Sequence, residues 1–316
     1  MYAVVPSHAK RIVHETATRV QHAERQVWAR CVGLLWKTCA VSIVRLELHN
    51  DPVDPEAIDV WVDGHLGDEP CRFRLDTGAG TCRVPTTDAT RSLLSRGASH
   101  GVAASGVGLT EDEIVLPLLR LGDHHLLDVE ATRTPIDIDA VPLLGMSALS
   151  RHRCQFRFAA GELELTDSDA VESDRWLALD LHTAGQPSMV VRFGDLAVNG
   201  CWDTGAGLTA VDAGFARAHP ELFDPLRSSI GIDASGVEIS SDIAIMAACS
   251  IGDVEFPESA CALVDLGALN EHLRLRAIED GRRYEPMLFI VGMPLIQLAE
   301  WDFDFPAAKW ALIRAA

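Results

Sequence analysis

The chain lacks the usual marks of a metal or disulfide protein. No Cys-x-x-Cys pair occurs, and its 12 histidines form no cluster with metal-ligand spacing. Eight cysteines are scattered from Cys31 to Cys261. An even count does not imply disulfides in a chain long enough to build a sizeable core, so they read as buried free thiols of a reducing cytoplasm. Basic residues are scarce, 27 Lys and Arg against 46 Asp and Glu, for a net charge of −19. That argues against a nucleic-acid or anionic-membrane partner, since either needs basic surface. No long apolar run is present either. Residues 27–44 come nearest, but Arg30 and Lys37 interrupt them, and a spanning helix needs about 20 mostly apolar residues. A secretory leader is not indicated, because the lead-in is long and polar and Trp36, Lys37 and Thr38 sit inside the apolar run. The balance is that of a soluble globular protein, 48% hydrophobic and 23% charged. Its 316 residues are comfortable for two domains of about 130 each.

What is present is a repeat. Asp76-Thr77-Gly78-Ala79-Gly80 recurs as Asp203-Thr204-Gly205-Ala206-Gly207, 127 positions later. The surroundings recur too. Residues 45–49 alternate as a half-buried strand does, and residues 178–182 repeat the pattern. Strands are expected at 58–62 and 71–75 around an Asp63-Gly64 hairpin signal, and at 189–193 and 196–202 around Gly194-Asp195. A helix is expected at 89–96, capped by Thr87 or Asp88 and stopped at Gly97, and another at 213–218, capped by Asp212. Each copy then has a Gly/Ser-rich hairpin, 102–108 and 232–237, sharing Ala-Ser-Gly. Leu121-Gly122-Asp123 is matched by Ile251-Gly252-Asp253, and each copy closes alike. Leu143-Leu144-Gly145 is echoed by Ile290-Val291-Gly292, and Phe156-Arg157-Phe158 by Phe303-Asp304-Phe305.

These signals divide the chain into a helical or disordered extension (1–40), a first lobe (41–166), a polar acidic linker (167–175) and a second lobe (176–316). The second lobe carries a helical insertion near 269–283. The fold class is all-β, with closed or nearly closed sheets built twice and a few short helices. His49 and His182 read as strand residues with satisfied imidazoles. Trp61, Trp176, Trp301 and Trp310 read as core or lobe-edge packing.

Two carboxylates on repeated units suggest one shared site. If a pseudo-two-fold axis relates the units, equivalent turns meet on it, and Asp76 and Asp203 face each other. Like charges that close cannot both ionise easily, so one stays protonated to about neutral pH or below. Such a pair can activate a water against an amide carbonyl without a metal, a cofactor or a covalent intermediate. Gly78 and Gly205 let each turn approach its twin, and the Thr77 and Thr204 hydroxyls are placed to hydrogen-bond across the axis.

On these residues the chain resembles the aspartic peptidases of the retropepsin and pepsin clan. The Phe-x-Phe hairpins look like the bacterial retropepsin-like type. The resemblance covers about residues 41–316. It implies two fused β-barrel lobes, Asp76 and Asp203 as the catalytic pair, and Thr77, Gly78, Thr204 and Gly205 as its support. It also implies hairpin flaps with tips at Ala104, Ser105 and Gly106 and at Ala234, Ser235 and Gly236, the glycines supplying mobility. The sequence departs from the family in three places. Cys82 stands where Ser or Thr is frequent, although Thr209 keeps the pattern. Neither tyrosine, Tyr2 or Tyr284, falls in a flap, and Trp202 is bulkier than the usual aliphatic neighbour of the aspartate. The expected function is endopeptidase action on a peptide or protein, by a monomer with an internal pseudo-dimer. The alternatives are a homodimer pairing lobes between chains, and a non-catalytic module that holds a peptide in the same cleft.

Overall fold

The computed structural model describes residues 41–52, 54–102, 107–135, 141–167, 175–182, 185–232 and 238–315. The expected extension (1–40), most of the linker (168–174) and both hairpin tips lie outside the described residues. Val41–Ala316 form one unit, built from three sheets.

Alternation builds the first lobe. Ile58–Leu66 buries every second side chain, and Glu69–Leu75 sends Phe73 and Leu75 fully into the core. In its eight-stranded sheet, Leu143–Leu144 lies parallel to Glu69–Leu75, and Cys82–Val84 lies parallel to His124–Arg133. Ile58–Leu66 also pairs with Gly108–Leu121, which closes the sheet on itself. The second lobe repeats this. Leu196–Trp202 runs parallel to Phe289–Val291, and Thr209–Asp212 parallel to Ser259–Val264. The counterpart of the long first-lobe strand is split into Glu238–Met246 and Cys249–Ile251. At the break, the Ala247 amide leaves the ladder and donates to the Leu222 carbonyl.

A six-stranded sheet joins the lobes, three strands from each. Its central pair is Arg153–Arg157 against Ala299–Asp304, with Gln155 opposite Asp302. Those two residues directly precede the repeated Phe-x-Phe motifs. Equivalent residues therefore face each other, and the pseudo-two-fold axis passes through that pair. Above it Trp202 is fully buried against Phe156, Trp301 and Phe303, with ring centroids 4.9, 5.7 and 4.7 Å away. Aromatic burial of this kind is worth about 2–3 kcal/mol per ring, with a further contribution from the tilted contacts. Trp301 and Trp310 are core residues, whereas Trp61 and Trp176 sit half-buried beneath Arg72 and Arg153.

Two local expectations fail. Asp63-Gly64 is not a turn. The strand runs through it, and the chain reverses at Gly67, whose φ is +61°. A Cβ on Gly64 would stand 2.7 Å from the Arg120 carbonyl, so this glycine serves the close crossing that seals the barrel. The helix expected at 89–96 is one turn, Asp88–Arg91. Thr90 accepts from the Thr87 amide to start it, but of the two leucines that follow Leu93 packs on the core and Leu94 is 79% exposed, so little apolar surface is left for a second turn to bury. The second-lobe helix, Ala213–Ala218, forms as read, with Asp212 accepting from the Phe215 amide at 3.0 Å. The insertion forms the helix Gly267–Glu279. The described cysteines, Cys71, Cys82, Cys154, Cys201, Cys249 and Cys261, are free thiols.

Candidate active site

Each repeated motif leaves its strand at the same point. The Asp76 amide donates to the Leu144 carbonyl at 3.1 Å, and the Asp203 amide to the Val291 carbonyl at 3.0 Å. The Gly of each apolar triplet then packs behind the turn. A Cβ on Gly145 would lie 2.6 Å from the Thr81 carbonyl carbon, and one on Gly292 would lie 2.5 Å from that of Leu208. No side chain fits at either place, which is why the triplets end in glycine.

The two turns meet across the axis. The Thr77 amide donates to the Thr204 hydroxyl at 3.1 Å, and the Thr204 amide to the Thr77 hydroxyl at 3.0 Å. The Thr77 hydroxyl donates in turn to the Trp202 carbonyl at 3.0 Å. Both threonines are fully buried, whereas Asp76, Asp203 and the glycines are half-buried and open to a ligand. A Cβ on Gly78 would sit 2.5 Å from the Asp203 carboxyl carbon, and one on Gly205 would sit 2.5 Å from that of Asp76. Each carboxylate thus occupies the space that the opposite glycine leaves free.

Three amides aim at the carboxylates. Asp203 Oδ1 accepts from Gly205 N at 2.7 Å and Gly78 N at 2.9 Å, and Asp76 Oδ1 accepts from Ala79 N at 2.9 Å. Burial, and then the negative charge of Asp76, push the Asp203 carboxyl up to about 7, although the two amides and Arg74 pull the other way. Asp203 therefore keeps its proton up to about neutrality beside Asp76.

Sequence reasoning missed two residues here. Arg74 Nη2 donates to the Gly205 carbonyl at 2.6 Å, and Gln186 Nε2 donates to the Gly78 carbonyl at 2.9 Å. Each lobe thus staples the other lobe's turn. One signal was available, a charged residue at 74 where the second copy has Cys201 in an otherwise matched strand.

The other expected features take their places around this centre. Cys82 is buried with its sulfur 4.0 Å from the Gly145 carbonyl, while Thr209, its counterpart, accepts from the Gly292 amide at 3.1 Å. Trp202 points down into the core, away from the carboxylates, and leaves the junction undistorted. His49 is exposed beside Arg72, and His182 is half-buried with its Nε2 lacking a partner among the described residues. The arms of the two Gly/Ser hairpins are present, Gly97–Val102 with Gly108–Leu121 and Phe223–Ile232 with Glu238–Met246. Their tips, with Ala104, Ser105, Gly106, Ala234, Ser235 and Gly236, lie outside the described residues. A groove on the second lobe, past His182, Arg192 and Glu285, is lined by none of the dyad residues. Among the described residues no group of three His, Cys, Asp or Glu could hold a metal ion, and no helix is long and apolar enough to cross a membrane.

Residues 62–151, which carry Asp76, its turn and the Gly145 triplet, match the family model of the gag-polyprotein putative aspartyl protease. No curated protein sequence matches the chain. Among solved structures, basic 7S globulin from soybean superposes with a TM-score of 0.50 at 9% identity, over 86% of this chain and 95% of that one. At that identity the likeness is one of fold. Residues 62–151 of the first lobe are thus similar to an aspartyl protease family, and the chain as a whole shares the two-lobed all-β acid-protease fold.

Proposed function

We propose that the protein is an aspartic endopeptidase in which Asp76 and Asp203 of one chain hydrolyse a peptide bond. The observation that carries this reading is the junction itself. Two carboxylates from equivalent turns share one hydrogen-bonded, partly enclosed space, each beside the opposite glycine. With Asp203 titrating at about 7, the pair holds one proton and one negative charge below neutrality. The ionised carboxylate takes a proton from a water as that water's oxygen attacks the amide carbon. The protonated carboxyl donates to the carbonyl oxygen, giving a neutral tetrahedral diol. Collapse breaks the C–N bond as the protonated carboxyl gives its proton to the leaving nitrogen and a diol hydroxyl gives one to the other carboxylate, which forms the carboxylic acid and restores the single shared proton. Thr77 and Thr204 keep the carboxylates in register through this cycle. On this reading the two hairpins act as flaps that exclude water from the cleft.

A peptide bearing a hydroxyethylene or statine unit at the scissile position tests the reading. A catalytic dyad should bind it at least about a hundredfold tighter than the matching amide peptide, because the hydroxyl mimics the tetrahedral intermediate. Equal affinity would mean that the cleft holds peptides without cutting them.

A further inference from the structure

The two catalytic turns are pseudo-two-fold copies in their main chain, yet their outer supports differ. The register that sets Trp61 opposite Arg74 sets Ser188 opposite Cys201. Two residues upstream stand Asp59 in the first lobe and Gln186 in the second. The first lobe thus presents an Asp–Arg pair where the second presents a Gln and a thiol. Arg74 Nη2 lies 2.8 Å from Asp59 Oδ1 and 2.6 Å from the Gly205 carbonyl, so a single nitrogen ties its own lobe to the opposite turn. Gln186 reaches the Gly78 carbonyl with a neutral amide.

We propose that Arg74 is a positioning residue of the dyad, clamping the Gly205 turn from the opposite lobe and giving that side of the site a positive charge its counterpart lacks. The inference rests on the hydrolytic reading above for its consequence, but not for its geometry. The Gly205 carbonyl belongs to the Gly205–Ala206 peptide, whose N–H closes the turn onto the Asp203 carbonyl at 3.2 Å. A charge-assisted bond to that peptide polarises it and strengthens the closing bond. The charged and titratable groups facing Asp203 are then few. They are Asp76 from the opposite turn, Arg74 from the strand beside it with Asp59 behind, and the Cys201 thiol on its own strand. Burial and the nearby aspartates push Cys201 well above the ordinary thiol value, so it stays neutral. Arg74 is therefore the cation that pulls the Asp203 step down, against the larger upward effects of burial and of the Asp76 charge.

The test uses the whole protein with 13C-carboxyl-labelled aspartate. The dyad titration is followed by NMR, and the pH profile of peptide cleavage is followed in parallel. Arg74→Met should move the upper dyad step, and with it the alkaline limb of kcat/KM, upward by about one pH unit. Arg74→Lys should largely restore it. Asp59→Asn keeps an acceptor oxygen for Arg74 but removes the charge that neutralises it, so it should move the step down. This variant, at a partly exposed position, also covers the case in which Arg74→Met does not fold. Shifts of opposite sign in Arg74→Met and Asp59→Asn support the proposal, because a merely structural role would lower stability in both without moving the titration. An unmoved titration in a folded Arg74→Met, or shifts of the same sign, overturns it. Should the titration shift as stated while no form of the protein cleaves peptide, the positioning role stands and the hydrolytic reading falls.

Discussion

Removing the Thr77 hydroxyl by Thr77→Val should cost more than removing that of Thr204, although the residues are symmetry mates. The reason is in the bonds. The Thr77 hydroxyl accepts from the Thr204 amide at 3.0 Å and donates to the Trp202 carbonyl at 3.0 Å, whereas that of Thr204 accepts from the Thr77 amide at 3.1 Å. Both side chains are fully buried, and valine keeps their shape. Thr77→Val therefore strips partners from a buried amide and a buried carbonyl, and Thr204→Val from one amide. At about 1–3 kcal/mol per unsatisfied buried group, and less for a carbonyl that keeps another partner, the expected losses are about 3 and about 2 kcal/mol. Urea unfolding of the two variants against the parent, at unchanged m-value, measures both. Equal losses, a larger loss for Thr204→Val, or losses below about 0.5 kcal/mol in both would refute the claim that this exchange locks the lobes.

Two further predictions concern acid. His152 lies edge-on to His124, with ring centroids 4.7 Å apart, and burial followed by the charge of His124 pushes it down to about 4. The unfolded chain takes up that proton near 6.5, so stability is complete above that pH and is lost as pH falls from about 6.5 to 4. The contribution is about 3 kcal/mol. His152→Gln should flatten the fall in unfolding free energy between pH 7 and 4 by that amount, and an unchanged slope would contradict it. The second concerns the second-lobe hairpin, which is latched to the first lobe. Arg227 bonds Asp54 at 2.7 Å and also Glu56, and Ser229 bonds Asp54 at 3.1 Å. Burial penalises the Asp54 charge, but the bonds from Arg227 and Ser229 outweigh it and hold the carboxyl below its ordinary value. The latch is therefore intact at neutral pH and loosens as acid protonates Asp54 below 3.8. Arg227→Met should speed amide exchange in Phe223–Ile232 at pH 7 and leave Gly97–Val102 unchanged.

The parts of this protein that were legible in its sequence are those where the backbone itself is constrained and the constraint is duplicated. Gly78, Gly145 and their partners are glycine because a carboxylate or a carbonyl occupies the place of a side chain, and each constraint appears twice at matching positions. The turns, the triplets and the closing hairpins could therefore be read from residue type alone. What was illegible depends on partners distant in sequence. Gly64 looks like a turn glycine until Arg120 crosses it, and the one-turn helix after Thr87 ends because nothing packs on Leu94. Arg74 and Gln186 reach carbonyls of the opposite lobe, a pairing that no local pattern encodes. The Trp202 bulk is harmless for the same reason, since the aromatic floor that receives it is assembled from both closing hairpins.

The most direct measurement is digestion of a peptide library by the parent protein, by Asp76→Asn and by Asp203→Asn, each checked for retained fold by its unfolding transition. The dyad account predicts cleavage by the parent at a rate per chain that does not fall on dilution, and loss of cleavage in each single variant although both remain folded. Full activity in either variant would contradict it.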